Sequence, residues 1–195
     1  MSTEPAADPD LDRLLDQLRR LRLALAAEVR AEWSRDVPFQ ELLADRWERA
    51  RVLGFGEGSS IHESSHVYGD VRVGAGTWIG PFTILDGSGG LEIGDSCSVS
   101  AGVQIYSHDT VKWALSGGTA EYEHAGVRIG SRCHLGASAV VLKGVTIEDG
   151  CVVGAMSVVN RDLAAGTVAA GVPARSIGRV RIDSDGTISL QQYEA

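Results

Sequence analysis

The chain has 195 residues and a formal net charge of −8, with 18 lysines and arginines against 26 aspartates and glutamates. This acidic excess argues against nucleic acid or an anionic membrane as the main partner, because both reward clustered lysine and arginine. The first ten residues lack the apolar stretch of a signal peptide and no apolar run could span a bilayer, so we expect a soluble, cytoplasmic protein without membrane insertion.

Residues 1–56 are predicted to form an N-terminal helical segment. A helix starts near Leu11, and apolar residues recur along it at spacings of three and four. They form one stripe: Leu11, Leu14, Leu18, Leu21, Leu25 and Val29. The stripe can pack on its own domain or also contact a sister subunit. A second helix is predicted over residues 39–54, with Pro38 in its first turn, where the missing N–H costs little.

After Gly58 the apolar period becomes six residues. Fourteen apolar residues keep this period: Ile61, Val67, Val73, Ile79, Leu85, Ile93, Val99, Ile105, Ile129, Leu135, Val141, Ile147, Val153 and Val159. The rhythm is broken by two extra residues in "DGSGG" and by a much longer stretch after Ile105. A period of six is neither helical nor plainly alternating, and it predicts triangular coils of eighteen residues whose strands stack in parallel. We therefore expect a mainly β protein with a parallel β-helix over residues 57–180, an extruded loop at about 110–127 and a C-terminal tail at 181–195.

The three cysteines fit this coil. Cys133 and Cys151 are 151 − 133 = 18 residues apart, and Cys97 precedes Cys133 by 133 − 97 = 36 residues, which is one coil plus an eighteen-residue excess in the loop. All three should therefore stack on one side of the prism as small buried hydrophobes. The odd count and the missing C-x-x-C pair argue against a zinc site or a disulfide framework.

Three motifs make the segment from Ile93 to Val180 resemble the hexapeptide-repeat acetyltransferases that acetylate sugars, the group of the galactoside and maltose O-acetyltransferases. "IYSHDT" is similar to the family's segment with the catalytic histidine, "VVGAMSVVNRD" to the coil that borders coenzyme A, and "AAGVPARSIG" to the C-terminal cap. The resemblance implies a left-handed β-helix, a homotrimer with grooves between subunits, and acetyl-CoA as the acyl donor. It requires no metal.

The resemblance also implies roles for individual residues. His108, where the loop leaves the coil, would take a proton from the acceptor hydroxyl as that oxygen attacks the thioester. Asp86 resembles the family's acidic residue that binds acceptor hydroxyls, or it is a turn-forming aspartate before glycine. Trp113 can stack on a sugar face or anchor its loop. Asp109 can orient His108, although strand alternation points it elsewhere.

Five residues match contacts of the family with coenzyme A: Ala137, Ala155, Asn160, Arg161 and Arg175. Ala137 and Ala155 are one coil apart and match positions of backbone contact. Arg175 matches a basic residue near the nucleotide phosphates. The alternative for Arg161 and Arg175 is a solvated surface cation. The family more often has Thr-Lys where this chain has Asn160 and Arg161, so the charge is kept but the hydroxyl is missing.

We expect an acetyl-CoA-dependent transfer of an acetyl group to a hydroxyl of a sugar or glycosylated acceptor. Acetylation of the amine of a nucleotide-linked amino sugar is the alternative within this class. Two other classes use the same coil: a non-catalytic scaffold and a metal lyase of the γ-carbonic-anhydrase type. The lyase needs three histidines at zinc, and this chain has Ala137 and Lys143 near the positions of two of them. No motif identifies the acceptor.

Overall fold

A computed structural model describes residues 9–193, which fall into two compact units, one up to Asp45 and one from Arg46 onward. The helices are α1 (Pro9–Trp33), α2 (Phe39–Leu43), α3 (Arg46–Val52) and α4 (Val111–Leu115). The first strands are β1 (Ser60–Ile61), β2 (His66–Val73), β3 (Trp78–Ile79), β4 (Ile84–Ile93), β5 (Ser98–Val99), β6 (Gln104–Ile105), β7 (His108–Asp109), β8 (Glu123–His124) and β9 (Val127–Ile129). The remaining strands are β10 (His134–Leu135), β11 (Val140–Val141), β12 (Thr146–Ile147), β13 (Val152–Val153), β14 (Val158–Val159), β15 (Thr167–Gly171), β16 (Ala174–Ile182) and β17 (Ile188–Gln192).

The first unit contains the predicted long helix, α1, and the short α2. None of the residues in α1 is buried, so its leucine stripe remains largely exposed. The single helix predicted over residues 39–54 is wrong: the chain forms α2 and α3, with Ala44 extended between them (φ −118°, ψ 133°). The sequence reading overlooked Asp45 and Glu48, whose spacing is that of a capping box that starts a new helix.

The second unit is a parallel β-helix with three faces. The first face contains β1, β3, β5, β10, β13 and β15. The second contains the first halves of β2 and β4 with β6, β11 and β14, and the third contains the second halves of β2 and β4 with β9 and β12. Each strand of a face pairs in parallel with the strand one coil away, which confirms the fold that the six-residue period predicts.

The strand register shows how the coils absorb the two breaks in the period. His134 pairs with Val152, 152 − 134 = 18 residues later, which is one undisturbed coil. Trp78 pairs with Ser98, 98 − 78 = 20 residues later, which is two more than one coil. Ser98 pairs with His134, 134 − 98 = 36 residues later, which is eighteen more than one coil. Both insertions therefore protrude from an edge of the prism, and the strands before and after each insertion stay in register on their face.

The apolar residues of the repeat fill the prism. Of the fourteen, all but Val67 are buried, and Val67 is half-buried against them. The three cysteines stack on successive coils as predicted, since each precedes one of the paired residues Ser98, His134 and Val152. They are also buried and free.

The first face of the β-helix ends, on its C-terminal side, in an antiparallel hairpin. β16 pairs antiparallel with β15, and β17 pairs antiparallel with β16, so much of the predicted tail continues the sheet. At the other end, α3 packs against β1.

Between residues 9 and 193, no helix combines the length and the apolar character needed to cross a membrane.

Candidate active site

The long break in the repeat is a hairpin at one edge of the prism. β6 lies on the second face and the third face resumes only at β9, so the chain leaves the coil at the edge between these faces. His108 lies there in β7, which pairs antiparallel with β8, and α4 lies between the two strands in sequence. The predicted loop thus begins at the predicted base.

The His108 ring is held by a carboxylate from the preceding coil. Asp86 Oδ2 lies 2.5 Å from His108 Nδ1. The Asp86 side chain is 3% exposed and the His108 side chain is 30% exposed. An ionised carboxylate can only accept, so Nδ1 carries the proton and Nε2 is left as the basic nitrogen.

The Asp86 carboxylate has further partners inside the chain. Oδ1 accepts from the Ser88 N–H at 3.0 Å and from the Ser88 hydroxyl at 2.5 Å, and Oδ2 accepts from the Ser107 N–H at 3.0 Å. Burial raises the pKa of Asp86, but the hydrogen bonds from Ser88, His108 and Ser107 outweigh it and lower that pKa to about 2. Both oxygens therefore have partners within the chain, among them His108, and the predicted contact of Asp86 with acceptor hydroxyls stays a prediction.

Aromatic rings of the hairpin surround the base. The His108 ring stacks with His124, with 5.8 Å between centroids, and with Tyr122, with 6.3 Å between centroids. Trp113 meets Tyr122 edge to face at 5.7 Å. Trp113 thus packs within its loop, one ring away from His108, while 42% of its surface stays exposed. The stacking of Trp113 on a sugar stays a prediction.

Asp109 follows His108 but does not orient it. Its Oδ1 accepts from the Val111 N–H at 3.0 Å, and its Oδ2 lies 3.3 Å from Lys143 Nζ. Asp86, 22 residues before His108 in sequence, makes the contact that was considered for Asp109.

A cavity of about 610 Å³ opens beside the base. Its lining consists of Tyr106, His108, Asp109, Thr110, Val111, Leu142, Lys143 and Asn160. The structure therefore brings His108 and the predicted coenzyme contact Asn160 into one cavity. The predictions missed Lys143 in this role, although the coil register places it near the start of the loop.

Arg161, the residue after Asn160, lines a second cavity of about 310 Å³ together with Arg175. Arg179 and Tyr193 also line it, and Arg179 Nε donates to the Tyr193 hydroxyl at 3.3 Å. Hydrogen bonds with Ser176 and Arg179 lower the pKa of Tyr193. Within residues 9–193 none of the three arginines pairs with a carboxylate, although Asp162 also lines the cavity. Guanidinium groups without a carboxylate partner among these residues suit a phosphate.

Ala137 and Ala155 lie elsewhere on the chain. Each follows a strand of the first face, β10 or β13, and precedes a strand of the second face, β11 or β14. They therefore lie at the edge between the first and second faces, whereas His108 lies at the edge between the second and third. A single chain does not place these two predicted coenzyme contacts beside the base.

Among residues 9–193, no three histidine, cysteine, aspartate or glutamate side chains are grouped so that they could hold a metal ion. The His108–Asp86 pair, with one open imidazole nitrogen beside a cavity, is suited to accepting and returning a proton.

Comparison with known families matches residues 126–161 to the bacterial transferase hexapeptide family (six repeats). The chain is 29% identical over 163 residues to the galactoside O-acetyltransferase of Escherichia coli K12, covering 82% of this chain and 75% of that protein. It is 32% identical over 137 residues to the dTDP-4-amino-4,6-dideoxy-D-glucose acyltransferase of Escherichia coli, covering 65% of this chain and 64% of that protein.

Among solved structures, an N-acyltransferase from Bacillus cereus in complex with dTDP and 3-hydroxybutyryl-CoA is similar, with a TM-score of 0.55 and 26% identity. The similarity covers 68% of this chain and 87% of that one. The resemblance to the hexapeptide-repeat acyltransferases that the motifs indicated is confirmed.

Proposed function

We propose that this hexapeptide-repeat chain is a cytoplasmic acyltransferase that moves an acetyl group from acetyl-CoA to a hydroxyl of a sugar or glycosylated acceptor, with His108 as the general base. The observation that carries the proposal is the bond between buried Asp86 and the Nδ1 of His108 beside the larger cavity. The similarity to a galactoside O-acetyltransferase supports the reaction and the acceptor class.

The geometry suggests how the chain would catalyse this transfer. Asp86 fixes the ring so that Nε2 of His108 accepts the proton of the acceptor hydroxyl while that oxygen attacks the thioester carbonyl. The buried carboxylate stabilises the imidazolium that forms. When the tetrahedral intermediate collapses, the carbon–sulfur bond breaks and the proton on Nε2 passes to the departing thiolate. No nucleophilic serine or cysteine is needed.

The two cavities support a path for the donor. Asn160 lines the cavity of His108, and the adjacent Arg161 lines the second cavity together with Arg175 and Arg179. The thioester of acetyl-CoA would lie at the first cavity, and its nucleotide phosphates would lie against Arg161 and Arg175. Arg179 and Tyr193 would complete this phosphate site.

Acetylation of an amine is the second candidate. It is favoured by the 32% identity to an acyltransferase named for a dTDP-linked amino sugar. Acceptor pairs that differ only by a hydroxyl or an amine at one carbon would separate the two reactions. If neither acceptor causes release of coenzyme A, neither reaction is supported, and the non-catalytic scaffold is the remaining alternative.

The experiment that tests the proposal is steady-state kinetics with a hydroxyl acceptor on three variants. His108→Ala should lower kcat by roughly 10²–10⁴-fold, the usual effect of removing a positioned base. Coenzyme A binding by calorimetry should change little. Arg175→Ala should instead raise the KM for acetyl-CoA.

His66→Ala is the matched control, because this exposed histidine stacks on Tyr68 and lies outside both cavities. Its kcat should equal that of the unchanged protein. Near-full turnover by His108→Ala would exclude the proposed mechanism.

A further inference from the structure

We propose that Lys143 is a positioning residue for this reaction, whose ammonium ties both strands of the β7–β8 hairpin to the β-helix and so holds the backbone of His108 in place. The inference rests on the proposed function, because it assigns Lys143 a role in that transfer.

The coil register places Lys143 directly at the base of the hairpin. The Gly144 N–H donates to the Ala125 carbonyl at 3.1 Å, and the Ala125 N–H donates to the Ser107 carbonyl at 2.9 Å, so Lys143 lies next to the residues at which the hairpin leaves and rejoins the coil. Lys143 belongs to the coil, whereas the two carboxylates that it contacts belong to the hairpin. An ion pair here therefore connects the extruded segment to the rigid part of the fold.

The ammonium bridges the two strands of the hairpin. Lys143 Nζ lies 3.1 Å from Glu123 Oε2 and 3.3 Å from Asp109 Oδ2. Asp109 and Glu123 are themselves opposite each other in the antiparallel pair. One cation thus fixes both strands at the same level.

That level is next to the base. Asp109 follows His108, and Glu123 precedes His124, whose ring stacks on His108. Asp86 holds the imidazole through Nδ1, while Lys143 holds both strands of the hairpin one residue beyond the stacked rings. Lys143 also lines the cavity of about 610 Å³, so a shift of the hairpin would change the site itself.

The partial burial of this cluster makes the tie stronger than an ordinary surface ion pair. The Lys143 side chain is 25% exposed, and those of Asp109 and Glu123 are each 35% exposed. Hydrogen bonds with Glu123 and Asp109 raise the pKa of Lys143, so its ammonium stays charged through the neutral range. The Lys143 ammonium is therefore charged and forms ion pairs with two carboxylates.

Lys112 provides a matched control within the same cluster. It also contacts Glu123, but its side chain is 67% exposed and it lies in the loop itself. Lys112 can bind Glu123 without connecting the hairpin to the coil. Removal of Lys112 should therefore leave the position of His108 unchanged.

The test is steady-state kinetics on Lys143→Met, Lys143→Arg and Lys112→Met with a hydroxyl acceptor. Lys143→Met should lower kcat by about 10–100-fold, the scale on which a displacement of about 1 Å acts. The KM for acetyl-CoA should stay within about two-fold, because the proposed phosphate contacts lie in the other cavity. Lys143→Arg should recover most of kcat, and Lys112→Met should match the unchanged protein.

A double-substituted variant separates positioning from a general loss of structure. Asp109→Asn with Glu123→Gln removes both hairpin carboxylates and should lower kcat as Lys143→Met does. Adding Lys143→Met to that pair should have no further effect, since the same tie is already lost. Circular dichroism and the melting temperature should stay close to those of the unchanged protein.

Full kcat in Lys143→Met would overturn the inference, and so would additive losses in the triple variant. If His108→Ala is inactive while Lys143→Met is fully active, only the role of Lys143 fails. If His108→Ala is itself fully active, the proposed function fails first.

Discussion

At the scale of single residues, the candidate site combines an accessible ring with an inaccessible carboxylate. His108 is part-exposed at the cavity, and Asp86 lies almost entirely inside, held by Ser88 and Ser107 as well as by the ring. Burying a carboxylate is costly unless every lone pair finds a donor. Asp86 meets this condition, so its charge is stable where an imidazolium would need it.

Asp86→Asn should retain the size of the side chain but lose its charge. We expect kcat with a hydroxyl acceptor to fall by roughly 10²–10⁴-fold, because the amide neither fixes the tautomer nor stabilises the imidazolium. The KM for acetyl-CoA should change little. A variant with unchanged kcat would show that the carboxylate does not assist His108.

The same substitution should alter the pH dependence of stability. The pKa of Asp86 is lowered from 3.8 to about 2, so the folded state gains stability above about pH 4 and loses it as the pH falls towards 2. The contribution is about 2 kcal/mol at neutral pH. Urea unfolding at pH 7 and pH 3 should show a smaller acid-induced loss in Asp86→Asn than in the unchanged protein.

The sequence contains enough to find this pair, but only through the register. Leu85 and Ile105 are buried residues on consecutive coils, so Asp86 stacks beside Tyr106 and comes within two residues of His108. Sequence neighbours offered only Asp109 as a partner of His108, and strand alternation already pointed its side chain elsewhere. The turn at Ser88 has a sequence signal of its own: Asp86 precedes glycine, and its carboxylate accepts from the N–H two residues on, as turn-forming aspartates do.

At the scale of elements, the coils are spaced so closely that some positions exclude any side chain. A Cβ built on Gly136 would lie 2.5 Å from the backbone nitrogen of Ala155 on the next coil. The period of six predicted this stacking, since glycine often follows the apolar residue of the repeat.

The split between α2 and α3 was missed because an apolar helical pattern continues across the break.

Gly136→Ala should therefore force two coils apart. We expect it to lower the free energy of unfolding by about 3 kcal/mol or more, since backbone on the neighbouring coil cannot move aside as a side chain can. Gly150→Ala is the control: nothing lies within 4 Å of its Cβ, and only its φ of +68° opposes the change. That strain should cost about 1 kcal/mol. Equal losses in urea unfolding would argue against a steric limit on coil spacing.

At the scale of the whole molecule, the predicted site residues are divided between two edges. His108 lies at one edge of the prism, and Ala137 and Ala155 lie at another. Two copies packed side by side could bring these edges together, and three such contacts would close a ring. The sequence suggested the trimer only by resemblance, because a repeat shows which residues point inward and not which outer edges meet.

We predict a homotrimer, with a light-scattering mass three times that of the 20.6 kDa chain. A monomer at micromolar concentration would contradict it.

A mixing experiment tests the shared site: His108→Ala and Ala155→Trp should each be inactive alone. Unfolding and refolding them together should restore about a quarter of the activity, since random assembly pairs an intact edge with an intact edge at that frequency. No recovery would mean that each chain carries its own site.

The antiparallel hairpin at the C-terminal end limits how far this architecture can grow. A stack of parallel coils ends in unpaired strand edges, which can template further strands from other molecules. Here β16 reverses direction against β15, and β17 covers β16 in turn, so a new coil would meet an antiparallel strand out of register with the repeat. The hairpin therefore prevents a further parallel coil from pairing on the first face, and any end-to-end growth of the repeat would have to proceed without that face.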